Sequence, residues 1–339
     1  METGIVDLIS FDGDFAWRHW AVWYFLLIGS ASAAALIGFM SAWKNDNAPQ
    51  VRPALFAAAV CGITAPFPLL ADLHQPARFI NFYFGAATDS IMWWGAWFLP
   101  SFVIGLVALV LLYSPYGIRF IAYRRYAWSW TALFAVTILA YTAGEMTIVQ
   151  ARPVWNHFLF PVLLTLSAFV SGAGIIAITA TIRGQNSGIA PRMVGLGSLL
   201  FVVGVLFWIA IGWGNNNTFA ELALKQAPIS LLLYMTGICG FGGAILSFTP
   251  QRPAFLSILA GVLAVLGALI FRWNVFMGGQ AQLKTETLPL SYSFLTNSDA
   301  LAGLIGTAGL LAMVAVILSL ILGCDGKDEN NHAPSQTAL

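Results

Sequence analysis

The chain has 339 residues, of which 59% are hydrophobic and 9% charged, with a net charge of +1, whereas an ordinary soluble domain carries about a quarter charged residues. That composition describes an integral membrane protein, and the absence of a Lys/Arg run excludes a nucleic-acid partner from the expected ones. Cys61, Cys239 and Cys324 lie far apart, which encodes neither a disulfide framework nor the C-x-x-C spacing of a metal site. The N-terminus carries Glu2, Asp7, Asp12 and Asp14 where a secretory signal has a basic region and a cleavage site, so the first hydrophobic segment is expected to be retained.

A bilayer core of about 30 Å requires about 20 mostly apolar residues per helix. Nine stretches meet that requirement, with approximate limits 17–43, 53–75, 91–113, 127–150, 158–182, 194–213, 228–249, 254–273 and 299–323. The expected fold is therefore all-α, one transmembrane domain over 1–323, arranged as two four-helix bundles plus one extra C-terminal helix. Residues 324–339, "CDGKDENNHAPSQTAL", are polar and predicted to be a disordered cytoplasmic tail. With the N-terminus outside, the inner loops receive Lys44, Arg52, Arg119, Arg124, Arg125, Arg183, Arg192, Arg252 and Lys327, and the outer ones Arg18, Arg78, Arg152, Lys225, Arg272 and Lys284. The excess of basic residues on the inner side sets this orientation and leaves the C-terminus inside. Small residues crowd "IGSASAAALIG" in the first span and "LSAFVSGAGII" in the fifth, as closely packed helices require. The likeness suggests an internal repeat of spans one to four and five to eight.

Because successive helices alternate in direction, the polar residues sort by end. The outer ends hold "WRHW" (Arg18, His19), "ADLHQPARF" (Asp72, His74, Gln75, Arg78), the group Glu145, Gln150 and Arg152, the segment "WGNNNTF", and "FRWNVFMGGQ" (Arg272, Asn274, Gln280). The inner ends carry basic anchors without a comparable mixture of acids, amides and histidine. Several of these have structural explanations: Trp17, Arg18, Trp20 and Trp213 fit interfacial anchoring, and Asp72 and Arg78 either pair across the Pro76 turn or serve a site. Glu145 is the sharpest signal. It lies inside an apolar span with Tyr141 four residues earlier on the same helical face, and an intramembrane carboxylate marks a functional candidate whose expected partners are Arg152, Arg272 or a bound ligand.

Four histidines are present: His19, His74 and His157 fall near outer ends and His332 in the tail. None lies mid-span, so no b-type haem between facing helices is expected, and no metal is expected in this chain.

Four stretches carry a resemblance. "WAVWYFLLIGSASAAA", "ADLHQPARF", "YTAGEMTIVQARPVWN" with the following "SAFVSGAG", and "FRWNVFMGGQ" are similar to the motif set of the NrfD/PsrC family, the haem-free membrane subunits of polysulfide, tetrathionate and related reductases. The likeness runs from about residue 17 to 280, and the nine spans with the W-A-V-x-Y-F opening most resemble the tetrathionate-reductase branch. It implies a quinone site (menaquinone or ubiquinone) near the outer, periplasmic face of a bacterial inner membrane. It also implies two partners there, a four-cluster iron–sulfur ferredoxin-like subunit and a molybdopterin catalytic subunit. Tyr141 and His19 match family positions close to the quinone, while Asp72, Arg78, Gln150 and Arg152 match motif positions. Departures are Ala143 where the family commonly has glycine after Tyr-Thr, His74 where glycine is frequent, and Glu145 at a place where an apolar residue is expected.

Quinol oxidation releases two protons with its two electrons, so a site for it needs proton acceptors. Glu145, His19 and Asp72 are the candidates, with Tyr141 positioning a quinone oxygen and Arg78, Gln150, Arg152 and Arg272 completing the predicted quinone-binding set. Competing readings are the same site run towards quinone reduction, a passive anchor for catalytic subunits, and a proton-coupled secondary transporter. The transporter reading is disfavoured by the gathering of polar residues at one face instead of along both halves of a path.

Overall fold

The computed structural model describes residues 17–73, 75–85, 88–150, 152, 154–212, 227–249, 253–281 and 298–323. His74, Trp213 and the tail after Gly323 therefore lie outside the described residues. Among those described, the secondary structure is helical, without a strand. The long elements are α1 (His19–Lys44), α2 (Val51–Thr64), α3 (Pro66–Asp72), a short α4 (Asn81–Phe84), α5 (Ile91–Tyr113), α6 (Arg124–Thr147), α7 (Leu159–Ile182), α8 (Ala190–Gly212), α9 (Ala227–Phe248), α10 (Ala254–Trp273) and α11 (Ser298–Leu322). A buried π-helical turn, Asn274–Gly278, extends α10. Helices α2 and α3 form one span, Val51–Asp72, interrupted where Pro66 removes a backbone donor.

Eight of these helical stretches are long and apolar enough to cross a membrane, and the protein is a multi-pass membrane protein. The seventh expected span coincides with α9, whose apolar part among the described residues, Leu233–Phe248, is shorter. Against the nine spans expected, the structure thus supports eight by length.

Helix α1 is the centre of the packing. It touches α2, α6, α7, α10 and α11, while α7, α8, α9 and α10 contact one another in turn and α11 lies mainly on α2. Lipid tails are as apolar as leucine, so helices in a bilayer gain little from burying leucine against leucine and associate through close backbone approach and hydrogen bonds. The small residues of the two Ser/Ala/Gly-rich stretches supply this. Ser30 of α1 and Ser171 of α7 are hydrogen bonded at 2.7 Å, and a β-carbon built on Gly172 would lie 2.8 Å from the Ser30 carbonyl oxygen and 3.0 Å from the Ala33 β-carbon. Only hydrogen fits at that crossing.

The two ends of the molecule differ. One gathers the start of α1, the end of α3 and the segment after α10: the backbone N–H of Trp17 donates to Gln280 Oε1 at 2.9 Å, and that of Arg18 to Asp72 at 3.2 Å. The other gathers the end of α1, the ends of α5 and α7, and the start of α6, joined by the Arg124–Asp46 ion pair at 3.0 Å.

Gly172→Val should open the α1–α7 seam, at a cost of about 1–3 kcal/mol for forced overpacking. A lower midpoint of thermal denaturation in detergent would show it. Gly306→Val, at a position with no atom within 4 Å of the added carbon, should leave the midpoint unchanged.

Candidate functional site

The centre of the candidate site is the last two turns of α6. Glu145 is 7% exposed, and the Tyr141 hydroxyl, one turn earlier, donates towards its carboxyl. A buried tyrosine of α1, Tyr24, 2% exposed, lies within electrostatic reach of both. The site is thus one carboxyl and two phenols contributed by two helices. Tyr141 sits where it does because α5 has glycine opposite it: a β-carbon at Gly95 would fall inside the Tyr141 ring. One turn on, Ile91 meets Gly144, with the Ile91 δ-carbon 3.5 Å from a β-carbon built there.

Neither arginine expected as a counter-ion reaches Glu145. Arg272 is 1% exposed and lies deeper, packed against Gly29 and Ala168. Its guanidinium donates long bonds to the carbonyls of Ala268 at 3.4 Å and Leu164 at 3.5 Å. It has no carboxylate partner among the described residues and lines a narrow crevice with Thr142 and Thr165. Arg152 instead reaches the segment after α10, donating to the carbonyls of Gln280 at 3.1 Å and Gly279 at 3.5 Å. Trp155 adds to this clamp through its indole N–H, 2.8 Å from the Val275 carbonyl, and stacks on Trp17 with centroids 5.8 Å apart. Gln280 completes it by donating to the carbonyls of Trp17 at 2.9 Å and Phe276 at 3.1 Å. The "QARPVWN" stretch therefore ties three chain segments together beside the site.

The remaining predicted residues divide. His19 is buried, 1% exposed, but faces α11: its Nε2 lies 2.5 Å from a β-carbon built on Gly303, and Asp299 is its charged neighbour. Five residues separate His19 from Tyr24, which at 100° per residue turns them about 140° apart around α1. Asp72 accepts the Arg18 backbone N–H and does not pair with Arg78. Arg78 lines an open groove with Gln75, Phe79, Phe82, Met92 and Trp93. Neither Tyr141 nor Glu145 lines this groove. Gln150 is exposed beyond the end of α6. Tyr24 is the residue that the reading of polar and charged positions missed. Its signal was its place in "WAVWYFLLIG", where it read as one aromatic among several.

No group of three or more His, Cys, Asp or Glu side chains suited to a metal ion occurs among the described residues.

With this geometry in view, the comparisons are direct. The family model described as "Polysulphide reductase, NrfD" matches residues 9–284. The chain belongs to the NrfD family. It is also 33% identical over 328 residues to a subunit of tetrathionate reductase from Salmonella typhimurium, an alignment covering 93% of this chain and 94% of that protein. The NrfD match contains Tyr24, Tyr141, Glu145, Arg152 and Arg272 and ends before α11, so the His19 contact with Asp299 and Gly303 joins the family region to a helix beyond it.

Next to the site, in the loop before α7, His157 stacks on Phe158 and Trp208 with centroids 4.8 and 5.5 Å away. Its Nδ1 accepts the Leu159 N–H at 3.2 Å, and burial holds its imidazole below the ordinary 6.5. A lowered folded-state pKa means that the unfolded chain takes up the proton first. The stabilisation is present above about pH 6.5 and is lost as pH falls through the lowered value. The thermal midpoint of the wild type should therefore decline from pH 7 to pH 5, and the decline should be shallower in His157→Asn, whose amide oxygen still accepts the Leu159 N–H.

Proposed function

We propose that this NrfD-family chain is the quinol-oxidising membrane subunit of a respiratory reductase complex in a bacterial inner membrane. The name of its Salmonella relative supports a sulfur-oxyanion reductase of the tetrathionate or polysulfide type. The observation that carries the proposal is the Tyr141–Glu145 pair with Tyr24 beside it, Glu145 and Tyr24 buried and the carboxyl unmatched by a cation among the described residues. A buried carboxyl is costly in a bilayer unless it serves a purpose, and here no ion pair explains it.

The substrate is a menaquinol or ubiquinol. Its oxidation yields the quinone, two protons and two electrons. In this reading Tyr141 holds one substrate oxygen, Glu145 accepts the proton from it, and the second proton leaves through Asp72 at the same end. The electrons pass to an iron–sulfur partner subunit at that face and on to a molybdopterin subunit. The aromatic groove beside the first turn of α5, with Arg78 at its rim, does not touch Tyr141; at the same end of the molecule it offers the lipid an apolar surface with a few polar groups, the usual character of a ligand site. Arg152 acts by clamping the segment after α10. Arg272, fully buried against Gly29 and Ala168 with long bonds to carbonyls, acts in this reading from behind the site and not on the substrate oxygen. His19 acts at a distance by fixing the first turn of α1 against α11. The N-terminus and the site face the outside, and the tail the cytoplasm.

Glu145→Gln should leave complex assembly intact and slow quinol oxidation about tenfold or more, the loss expected when a positioned proton acceptor is removed. Wild-type turnover in that variant, measured with a soluble quinol analogue, would overturn its role. Gly95→Val, which displaces Tyr141 without touching Glu145, should raise KM for the quinol more than it lowers kcat.

A further inference from the structure

The end of the molecule opposite the quinol site carries a second built cluster. Arg124, at the start of α6, pairs with Asp46 at 3.0 Å and donates to the Leu112 carbonyl at 3.0 Å, its guanidinium 4.1 Å over the Tyr113 ring. The Tyr113 hydroxyl donates to Asp46 and accepts from the Trp128 indole N–H at 2.9 Å. Arg183, closing α7, lies 4.6 Å over the Phe56 ring and donates to Ser319 Oγ at 3.2 Å and the Gly323 carbonyl at 2.9 Å. Arg52, in the first turn of α2 and exposed, is the third member, with Arg124 and Arg183 as like-charged neighbours and Asp46 as the opposing one. Arg52 thus lies between two other guanidinium groups, and the carboxylate beside them, Asp46, is paired with Arg124.

Basic residues that only orient a membrane protein need to lie on one side and need not meet. These converge from three helices and are braced by aromatic rings and carbonyls, at the cost of mutual repulsion. The surroundings are those of a membrane interface. Arg125 lies 3.9 Å over the ring of Trp43, which is 52% exposed. The segment Pro115–Tyr123 turns Tyr116, Ile118, Phe120, Ile121 and Tyr123 outward. We propose that this cluster is a binding site for the headgroup of an anionic phospholipid. The phosphodiester is held by Arg52 and Arg183, with Arg124 as the fixed charge behind them, and the acyl chains run along the exposed apolar face of α11, where Met313, Val316, Ile317 and Leu320 point outward. Planar guanidinium groups match phosphate oxygens in pairs, and basic pockets between membrane helices suit such headgroups.

Native mass spectrometry of the full chain, purified in mild detergent and offered equimolar phosphatidylglycerol, cardiolipin and phosphatidylcholine, tests this. The wild type should retain the anionic lipids in preference. Retention should fall about fivefold for each arginine removed in Arg52→Gln and Arg52→Gln/Arg183→Gln. Because Arg183 also caps α11, Arg52→Gln alone decides the matter if the double variant does not fold. Lys44→Gln, which removes the same charge outside the cluster, should retain lipid as the wild type does. Absence of anionic preference, unchanged retention in Arg52→Gln, or an equal loss in Lys44→Gln would overturn the site, the last by showing only diffuse attraction.

Discussion

Close approach of α1 to its neighbours is the constraint on which the other features depend. Within lipid no hydrophobic gain holds helices together, so the bundle is organised where backbones touch. The crossing at Ser30, Ser171 and Gly172 fixes the rotation of α1 against α7. Once that rotation is set, each face of α1 has a fixed outlook: Tyr24 towards the end of α6, Phe25 onto Phe276 at 4.4 Å, His19 and Trp23 towards α11 and α10. A helix shifted by one residue would turn each of these by about 100° and separate Tyr24 from Glu145. The cluster of Tyr24, Tyr141 and Glu145 at one end is therefore held by packing at the Ser30–Ser171 crossing.

The polar residues at the site end divide by task. Arg152, Trp155 and Gln280 satisfy backbone carbonyls left open where α10 passes into a π-turn and the chain leaves the bundle, and such groups must find partners inside the protein. Trp155, Gln280 and Arg152 reach these carbonyls at 2.8 to 3.1 Å, the mark of a brace. Glu145, Tyr141 and Tyr24 have the opposite character, with few fixed partners and no balancing cation among the described residues. A brace keeps its hydrogen bonds through a reaction, whereas a proton-transferring group must change them. On the proposed function, Glu145 would change its proton beside a segment whose hydrogen bonds are already satisfied.

Much of this was legible in the residues alone. Helix positions followed from runs of apolar residues bounded by charges, and the i, i+4 spacing of Tyr141 and Glu145 placed both on one helical face without reference to any neighbour. Pairings between helices were not legible, because they depend on rotation about each axis, and nothing in a polar or charged position states which way it turns. Arg152 and Arg272 read as counter-ions of Glu145 by proximity along the chain and by end of the membrane, yet one serves carbonyls of the α10 extension and the other lies beside Gly29. His19 shares an end with the site and turns away from it. Tyr24 was hidden for the opposite reason, since a tyrosine in an aromatic helix start reads as an interfacial anchor until the partner helix is in place.

The central claim is that a quinol binds beside Tyr141 and Glu145, and photolabelling tests it most directly. The purified complex would be irradiated with an azido-quinone, with and without excess unlabelled quinol, and the labelled peptides mapped by mass spectrometry. The account predicts label on α6 around residues 141–147 and on the first turns of α5, suppressed by the competitor. Label confined to the apolar groove between α8 and α9, or label that the competitor does not suppress, would contradict it.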